Sequence, residues 1–151
     1  MKREGLDDQG SYFSINQVSG TAPILFCHGV GLSSKIWYPQ INFFENKQTT
    51  IVYDLLNHGL TTSYSRDLNF NDFSSQIDGL LQYLQYPKIN IVGFSLGALI
   101  TAHYASIHSN KANKIVLFGS IHKRSKSQQE SAQQRYEEVT DNYFDIPNQL
   151  Q

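Results

Sequence analysis

The sequence predicts an α/β fold with a mainly parallel sheet and helices on both faces of that sheet. Short, continuous apolar runs recur along the chain, and such runs are typical of strands that are buried on both faces. Segments with apolar residues at helical spacing separate these runs. Because strands that alternate with helices usually form parallel β-α-β units, the order of the segments indicates this fold class.

Five segments have the character of strands. Residues 12–18 alternate apolar and polar side chains, which is typical of a half-exposed strand, and a turn follows at Ser19 and Gly20. The other four segments are short runs of apolar or β-branched residues. They comprise residues 23–27, 49–53, 89–92 and 115–118.

Four helices are predicted between and after these strands. Trp37, Ile41 and Phe44 are spaced as one face of the first helix. The second helix has the most regular apolar stripe, and Asn69 is its expected N-cap because Asp72 follows three residues later. That stripe consists of Phe73, Ile77, Leu80, Leu81 and Leu84. The last two helices are expected at residues 96–107 and 127–143.

The composition limits the function classes. A length of 151 residues with 40% hydrophobic residues favours one globular domain with its own core. The formal net charge is −1 and the basic cluster at residues 123–126 is short, which argues against a nucleic-acid partner. We find neither an apolar leader segment nor a stretch of 18 apolar residues, so we expect a cytoplasmic protein with no membrane partner. The single cysteine, Cys27, lies in an apolar run and is expected to be a buried structural thiol.

The most informative motif is Gly-x-Ser-x-Gly at residues 93–97, which places Ser95 between a predicted strand and a predicted helix. Glycines at positions 93 and 97 permit a sharp turn, because side chains there would clash with it. Such a turn exposes the serine hydroxyl in a strained conformation. The motif therefore predicts Ser95 as a nucleophile, and the alternative is a glycine-bracketed turn with an incidental serine.

A serine nucleophile needs N–H donors for the negative charge that develops on the substrate oxygen. The backbone N–H of Leu96 directly follows Ser95 at the start of a helix. The glycine-rich loop at residues 28–31 follows an earlier strand, and its glycines allow close backbone approach. The N–H of Val30 is therefore the second predicted oxyanion donor.

Three motifs, taken in this order, resemble the α/β-hydrolase superfamily. They are HGVG at residues 28–31, DLLNHG at residues 54–59 and GFSLG at residues 93–97. The pattern is similar to that of serine esterases, carboxylesterases, enol-lactonases and carbon–carbon bond hydrolases, and it covers residues 12–120. One departure is Asn57, where the family usually has glycine, and asparagine tolerates the left-handed backbone conformation.

The resemblance implies a serine hydrolase that acts on a small carboxylic ester, thioester or lactone through an acyl-enzyme on Ser95. It implies Val30 and Leu96 as backbone donors of the oxyanion hole. No cofactor and no metal are implied, since the chain has neither a dinucleotide-binding motif nor metal-ligand spacing. The residues expected to shape the supporting loops are His28, Gly29, Asp54, His58, Gly59, Gly93 and Gly97.

In the superfamily the triad runs in the order Ser, acid, His, and the last two come late in the fold. The resemblance here implies an α/β-hydrolase fold truncated before the C-terminal strands. It assigns residues 1–120 to the N-terminal part of the core and residues 121–151 to the start of a helical cap. Among the histidines present, His122 has the best geometric case, since it follows a strand end. His103 lies eight residues after Ser95 and is expected to point away from it.

Two expectations follow from this truncation. Residues 115–118 should form an unpaired apolar edge, which favours self-association or a complementing C-terminal half. The chain alone should be a weak or inactive enzyme. The alternative is a non-catalytic, degenerate hydrolase-fold domain with a binding or interaction role, and acyl transfer or perhydrolysis is an alternative within the enzyme class.

Overall fold

The structure is a computed structural model that describes residues 1–121 and 123–144. The chain divides into two units, Met1–Ser120 and Ile121–Gln151. Within the described residues, the first unit contains a six-stranded sheet with three α-helices, and the second contains one α-helix. The motifs singled out in the sequence all lie in the first unit.

The sheet combines parallel and antiparallel pairs. Its strands are β1 (Lys2–Leu6), β2 (Tyr12–Asn16), β3 (Ile24–Cys27), β4 (Thr50–Tyr53), β5 (Ile89–Phe94) and β6 (Ala112–Phe118). They lie in the order β1-β2-β4-β3-β5-β6. The strands β4, β3, β5 and β6 are parallel to one another, whereas β1 and β2 add antiparallel pairs at one edge. The predicted fold class, with a mainly parallel sheet, is confirmed.

The four α-helices are α1 (Tyr38–Phe44), α2 (Phe70–Leu84), α3 (Leu96–Ile107) and α4 (Lys126–Phe144). The predicted N-cap of α2 is confirmed, because the side chain of Asn69 accepts the N–H of Asp72 and the Asp72 carboxylate accepts the N–H of Asn69. In the second unit, Ser125 and Gln128 exchange the same kind of reciprocal bonds at the start of α4. Among the described residues, no helix has both the length and the apolar character needed to cross a membrane.

Alternation of side chains along the strands divides the core into two layers. Leu25, Ile51 and Ile91 are buried on one face, in a cluster that also contains the apolar residues of α2 and α3. Phe26 and Val52, their neighbours in sequence, are buried on the opposite face. That second cluster also contains residues of the segment that leads into α1. Helices therefore cover both faces of the sheet, as predicted.

Two elements differ from the sequence-based expectation. The strand β1 is not predicted, because its residues are charged and exposed, and only its pairing with β2 defines it. The first predicted helix is interrupted: Trp37 ends a 3₁₀ helix, Ser34–Trp37, and α1 begins at Tyr38 with a proline in its first turn. Trp37 is nevertheless 3% exposed and contributes to the second core cluster.

The strand β6 is an edge of the described sheet and carries exposed apolar side chains, as expected from the sequence. Val116 also lines an apolar groove of about 320 Å³ together with Phe26, Phe44 and Val92. The exposed apolar side chains of β6 are Ile115 (43% exposed), Val116 (54%), Leu117 (39%) and Phe118 (44%).

Candidate active site

Ser95 joins β5 to α3 in a backbone conformation that non-glycine residues seldom adopt, with φ of 55° and ψ of −116°. Its N–H donates to the carbonyl of Phe118 at 3.1 Å, and its own carbonyl accepts the N–H of Ala98 at 3.0 Å. The residue is half-buried, and no described residue forms a hydrogen bond with its Oγ. The turn therefore holds the backbone of Ser95 under strain and leaves the hydroxyl without a partner among the described residues.

Close contacts explain the two glycines that bracket Ser95. A Cβ atom at Gly93 would overlap the carbonyl oxygen of Gly97 and would lie 2.6 Å from Oγ1 of Thr101. A Cβ atom at Gly97 would overlap the carbonyl oxygens of Cys27 and His28. The start of α3 thus lies directly against the end of β3, and only glycine allows this approach.

The loop at residues 28–31 begins beside Ser95. A Cβ atom at Gly29 would lie 3.2 Å from Cβ of Ser95, so the missing side chain brings the loop backbone close to the serine. The N–H of Leu32 donates to the carbonyl of Gly29 at 3.3 Å and closes a turn around Val30. Val30 is 67% exposed, and its N–H has no acceptor among the described groups. The N–H of Leu96, at the first position of α3, likewise has no acceptor among the described groups.

His28 ties this loop to the loop that follows β4. Its side chain is fully buried, its Nε2 accepts the N–H of Leu55 at 3.0 Å, and its Nδ1 donates to the carbonyl of Gly29 at 2.8 Å. Since Nε2 accepts a hydrogen bond, the ring is the neutral tautomer with its proton on Nδ1. Burial lowers the pKa of His28, which favours this neutral form.

His58 makes the reciprocal connection from the second loop. Its Nε2 accepts the N–H of Gly31 at 3.1 Å, and its Nδ1 donates to the carbonyl of Leu56 at 2.9 Å. The rings of His28 and His58 meet edge to face, with centroids 5.3 Å apart. Each loop therefore supplies a histidine that accepts a backbone N–H from the other loop.

Asp54 completes the connection between the loops. Its buried carboxylate accepts the N–H of Ser34 on Oδ1 at 2.7 Å and the N–H of Leu60 on Oδ2 at 2.9 Å. A Cβ atom at Gly59 would overlap this carboxylate, so glycine at that position makes room for it. At Asn57 the backbone has φ of 59°, a left-handed conformation that asparagine tolerates.

The histidines outside these loops have other contacts. His103 lies 2.9 Å, through its Nδ1, from Oγ of Ser74, and its ring contacts that of Phe70 on α2. The ring of His108 lies 4.7 Å from that of Tyr104. His122, the strongest triad candidate in the sequence, lies outside the described residues. None of the described histidines forms a hydrogen bond with Ser95.

Cys27 immediately precedes the first loop and is fully buried. The hydroxyl of Tyr53 donates to its Sγ at 3.1 Å. Burial raises the pKa of the thiol to about 12, so it stays protonated at neutral pH. The expectation of a buried structural thiol is confirmed.

Two residues at the end of β6 support Ser95, and the sequence analysis missed both. Phe118 accepts the N–H of Ser95, and its ring lies 5.1 Å from that of Phe94. Gly119 has φ of 63°, and a Cβ atom there would lie 2.9 Å from the ring of Phe94. The sequence signal that could have identified them is a glycine directly after an apolar strand.

The fold and the strand-to-helix serine define a class of protein, the α/β-hydrolase fold. The family model with that description matches residues 22–145, and the chain therefore belongs to this family.

Individual relatives agree with this assignment. The chain is 29% identical over 129 residues to (E)-2-((N-methylformamido)methylene)succinate hydrolase of Acinetobacter baylyi, covering 85% of this chain and 49% of that protein. It is 26% identical over 108 residues to 3-oxoadipate enol-lactonase 2 of the same species, covering 71% of this chain and 40% of that protein.

A solved structure shows the same fold. The α/β hydrolase MGS-M2, from a Medee basin deep-sea metagenome library, has a TM-score of 0.79 at 21% identity, covering 87% of this chain and 48% of that one. The chain thus spans about half the length of the relatives it matches.

Proposed function

We propose that this chain carries the nucleophile and the oxyanion donors of a serine hydrolase. Ser95 would form an acyl-enzyme with a small carboxylic ester, thioester or lactone. The observation that carries this proposal is the conformation of Ser95, with positive φ at a strand-to-helix turn and no described partner for its hydroxyl. Backbone strain of this kind is retained at functional sites because the surrounding structure compensates for it.

In the proposed reaction, Oγ of Ser95 attacks the substrate carbonyl carbon and loses its proton to a base. The N–H groups of Val30 and Leu96 donate to the resulting oxyanion. The base returns the proton to the leaving oxygen or sulfur as the tetrahedral intermediate collapses, which frees the alcohol or thiol of an ester or thioester, or opens the ring of a lactone, and leaves the acyl group on Ser95. Water then attacks the acyl-enzyme and releases the carboxylic acid and the free serine.

We propose that the base and its carboxylate partner come from residues other than the described ones. Both ring nitrogens of His28 and of His58 already form hydrogen bonds with the backbone. The carboxylate of Asp54 is likewise occupied on both oxygens. We propose that a complementing C-terminal half brings the acid and histidine to Ser95.

Residues 1–120 then form the N-terminal part of the hydrolase core and residues 121–151 the start of a cap. A cytoplasmic location stays a prediction.

The name of one relative supports the lactone part of the substrate class, since that protein is an enol-lactonase. Another relative is a hydrolase of a succinate derivative, which supports hydrolysis in general. An acyl-enzyme on Ser95 accounts for lactone opening and for ester cleavage alike, because both reactions begin with attack on a carbonyl carbon.

A fluorophosphonate probe, which reacts covalently with activated serines, tests the proposal. We expect slow labelling of the purified chain that is lost in Ser95→Ala, since the oxyanion donors alone support a residual ~10³–10⁴-fold acceleration over water in serine hydrolases. Ser106→Ala is the matched control, because Ser106 lies on the same helix and its hydroxyl donates to the carbonyl of His103. It should label like the wild-type chain.

A second candidate is a non-catalytic hydrolase-fold domain that binds a ligand or a partner. The engagement of all four described histidines in other contacts favours it. Absence of any Ser95-dependent labelling would favour this candidate and reject activity of the chain by itself. Sequencing of the coding region downstream of Gln151 separates the two further, because a continuing frame with an acid and then a histidine favours the enzyme.

A further inference from the structure

We infer that His28 and His58 form a brace that aims the Val30 N–H at the substrate oxygen, and that only the neutral rings do so. This inference rests on the proposed function of Ser95 and Val30. It assigns the two histidines as positioning residues, which act through the backbone of the oxyanion loop and do not touch the substrate.

The first step concerns His28 and the peptide that carries the donor. The Val30 N–H and the Gly29 carbonyl belong to one planar, trans peptide, so the two groups point in opposite directions. The Nδ1–H of His28 donates to that carbonyl at 2.8 Å. By fixing where the carbonyl points, the buried ring fixes where the N–H points.

The second step concerns His58 and the next peptide. The Gly31 N–H belongs to the peptide that joins Val30 to Gly31, and Nε2 of His58 accepts it at 3.1 Å. Gly31 has φ of 70°, and glycine rotates more freely than any other residue. An anchor on this peptide therefore removes a motion that would swing the Val30 N–H away from Ser95.

The third step is that the two anchors depend on each other. His28 accepts from Leu55 and His58 accepts from Gly31, so each ring joins its own loop to the opposite one. A protonated imidazole has no acceptor nitrogen. Protonation of either ring therefore sets an N–H on Nε2 against the backbone N–H that this nitrogen had accepted, and the hydrogen bond is lost. Protonation of His58 therefore releases Gly31.

The charged surroundings of the brace are few among the described residues. Each ring faces the other, and the Asp54 carboxylate lies near His28. A positive His58 lowers the pKa of His28, and Asp54 acts in the opposite direction. Burial is the largest influence on the pKa of His28, lowers it and keeps that ring neutral.

Nuclear magnetic resonance of the ¹⁵N-labelled chain tests this directly. Long-range ring correlations should show both histidines protonated on Nδ1. As the pH falls, the amide signals of Val30 and Gly31 should shift with the same midpoint as the His58 ring. Amide signals of Val30 and Gly31 that stay constant through the His58 titration would overturn the inference.

Two variants of His58 separate positioning from general stability. His58→Gln places an amide oxygen where Nε2 accepts from Gly31, whereas His58→Asn reaches only the Leu56 carbonyl. The Gly31 amide should exchange about fivefold to tenfold faster in His58→Asn than in His58→Gln, the equivalent of one hydrogen bond. Equal exchange rates in the two variants would also contradict the brace.

A control and a kinetic readout complete the experiment. His108→Gln, which alters a ring that contacts Tyr104, should leave the Val30 and Gly31 amides unchanged. Ser95-dependent labelling should be slower in His58→Asn than in His58→Gln. The amide signals do not depend on Ser95. Absent labelling, with Val30 and Gly31 amides that still respond to His58, therefore counts only against activity of the chain by itself, whereas labelling with amides that do not respond to His58 rejects the brace alone.

Discussion

The loops after β3 and β4 bind their polar groups to one another, whereas β6, at the edge of the same sheet, exposes its apolar side chains. His28, His58 and Asp54 connect the two loops through backbone N–H groups. On β6, Val116 is 54% exposed and its neighbours are exposed to a similar extent. Ser95 lies between the two regions, since its N–H donates to the carbonyl of Phe118.

The contrast shows that the two regions depend on different sources of order. The two loops are joined by hydrogen bonds between residues 28–34 and residues 54–58, which are distant in sequence and adjacent in the fold. The edge strand carries apolar side chains that the described residues leave partly exposed. A loop that holds its N–H donors in place can therefore lie beside a sheet edge that is open to a partner.

Among the largest expected effects is a loss of stability at Gly97, on the closely packed side of Ser95. Gly97→Ala places a methyl group against the carbonyl oxygens of Cys27 and His28, which cannot move without displacing β3. We expect a loss of about 3 kcal/mol in the free energy of unfolding, at the upper end for overpacking. Urea denaturation measures it. Ser106→Ala, on the exposed side of the same helix, should change stability by less than about 0.5 kcal/mol.

A matched pair of isoleucines compares β5 with β6. Ile91 and Ile115 are cross-strand neighbours in register, but Ile91 is fully buried and Ile115 is 43% exposed. Ile91→Ala should cost about 3 kcal/mol and Ile115→Ala about 1 kcal/mol, because the exposed site leaves no closed cavity. Equal losses in urea denaturation would show that the β6 edge is covered in solution.

The pH dependence of stability tests the hydrogen bonds that join the loops after β3 and β4. Burial lowers the pKa of His28 below its ordinary value of 6.5, so the unfolded chain binds this proton more readily than the folded chain. The contribution of His28 is therefore complete above about pH 6.5 and is lost as the pH falls towards the folded-state pKa. Urea midpoints across this range should decline towards acid, and the decline should be weaker in His28→Gln.

The smallest effect on stability is expected at the open edge. Val116→Lys places a charge on an exposed strand and should change the free energy of unfolding by less than about 0.5 kcal/mol. Charged residues on edge strands oppose strand pairing between molecules, so self-association should decrease. Sedimentation velocity measures this. Unchanged association would show that copies of the chain do not meet through β6.

Much of the fold could be predicted because the strands carry local signals. Leu25 and Phe26 lie in a continuous apolar run, which is typical of a strand covered on both faces, and they are buried on opposite faces of the sheet. The cap at Asn69 could also be predicted, because both of its partners lie within three residues in sequence. The strand β1 could not be predicted, because its charged residues form a strand only through pairing with β2.

For the candidate site, the sequence by itself determined where the serine lies and which glycines surround it. Glycine spacing around a strand-to-helix turn is a local requirement, so Ser95, Gly93 and Gly97 could be identified from five consecutive letters. Only the tertiary structure decided what His28 and His58 do. Their partners Leu55 and Gly31 lie 27 residues away in sequence, and they meet because β3 and β4 are parallel neighbours whose ends lie at the same edge of the sheet.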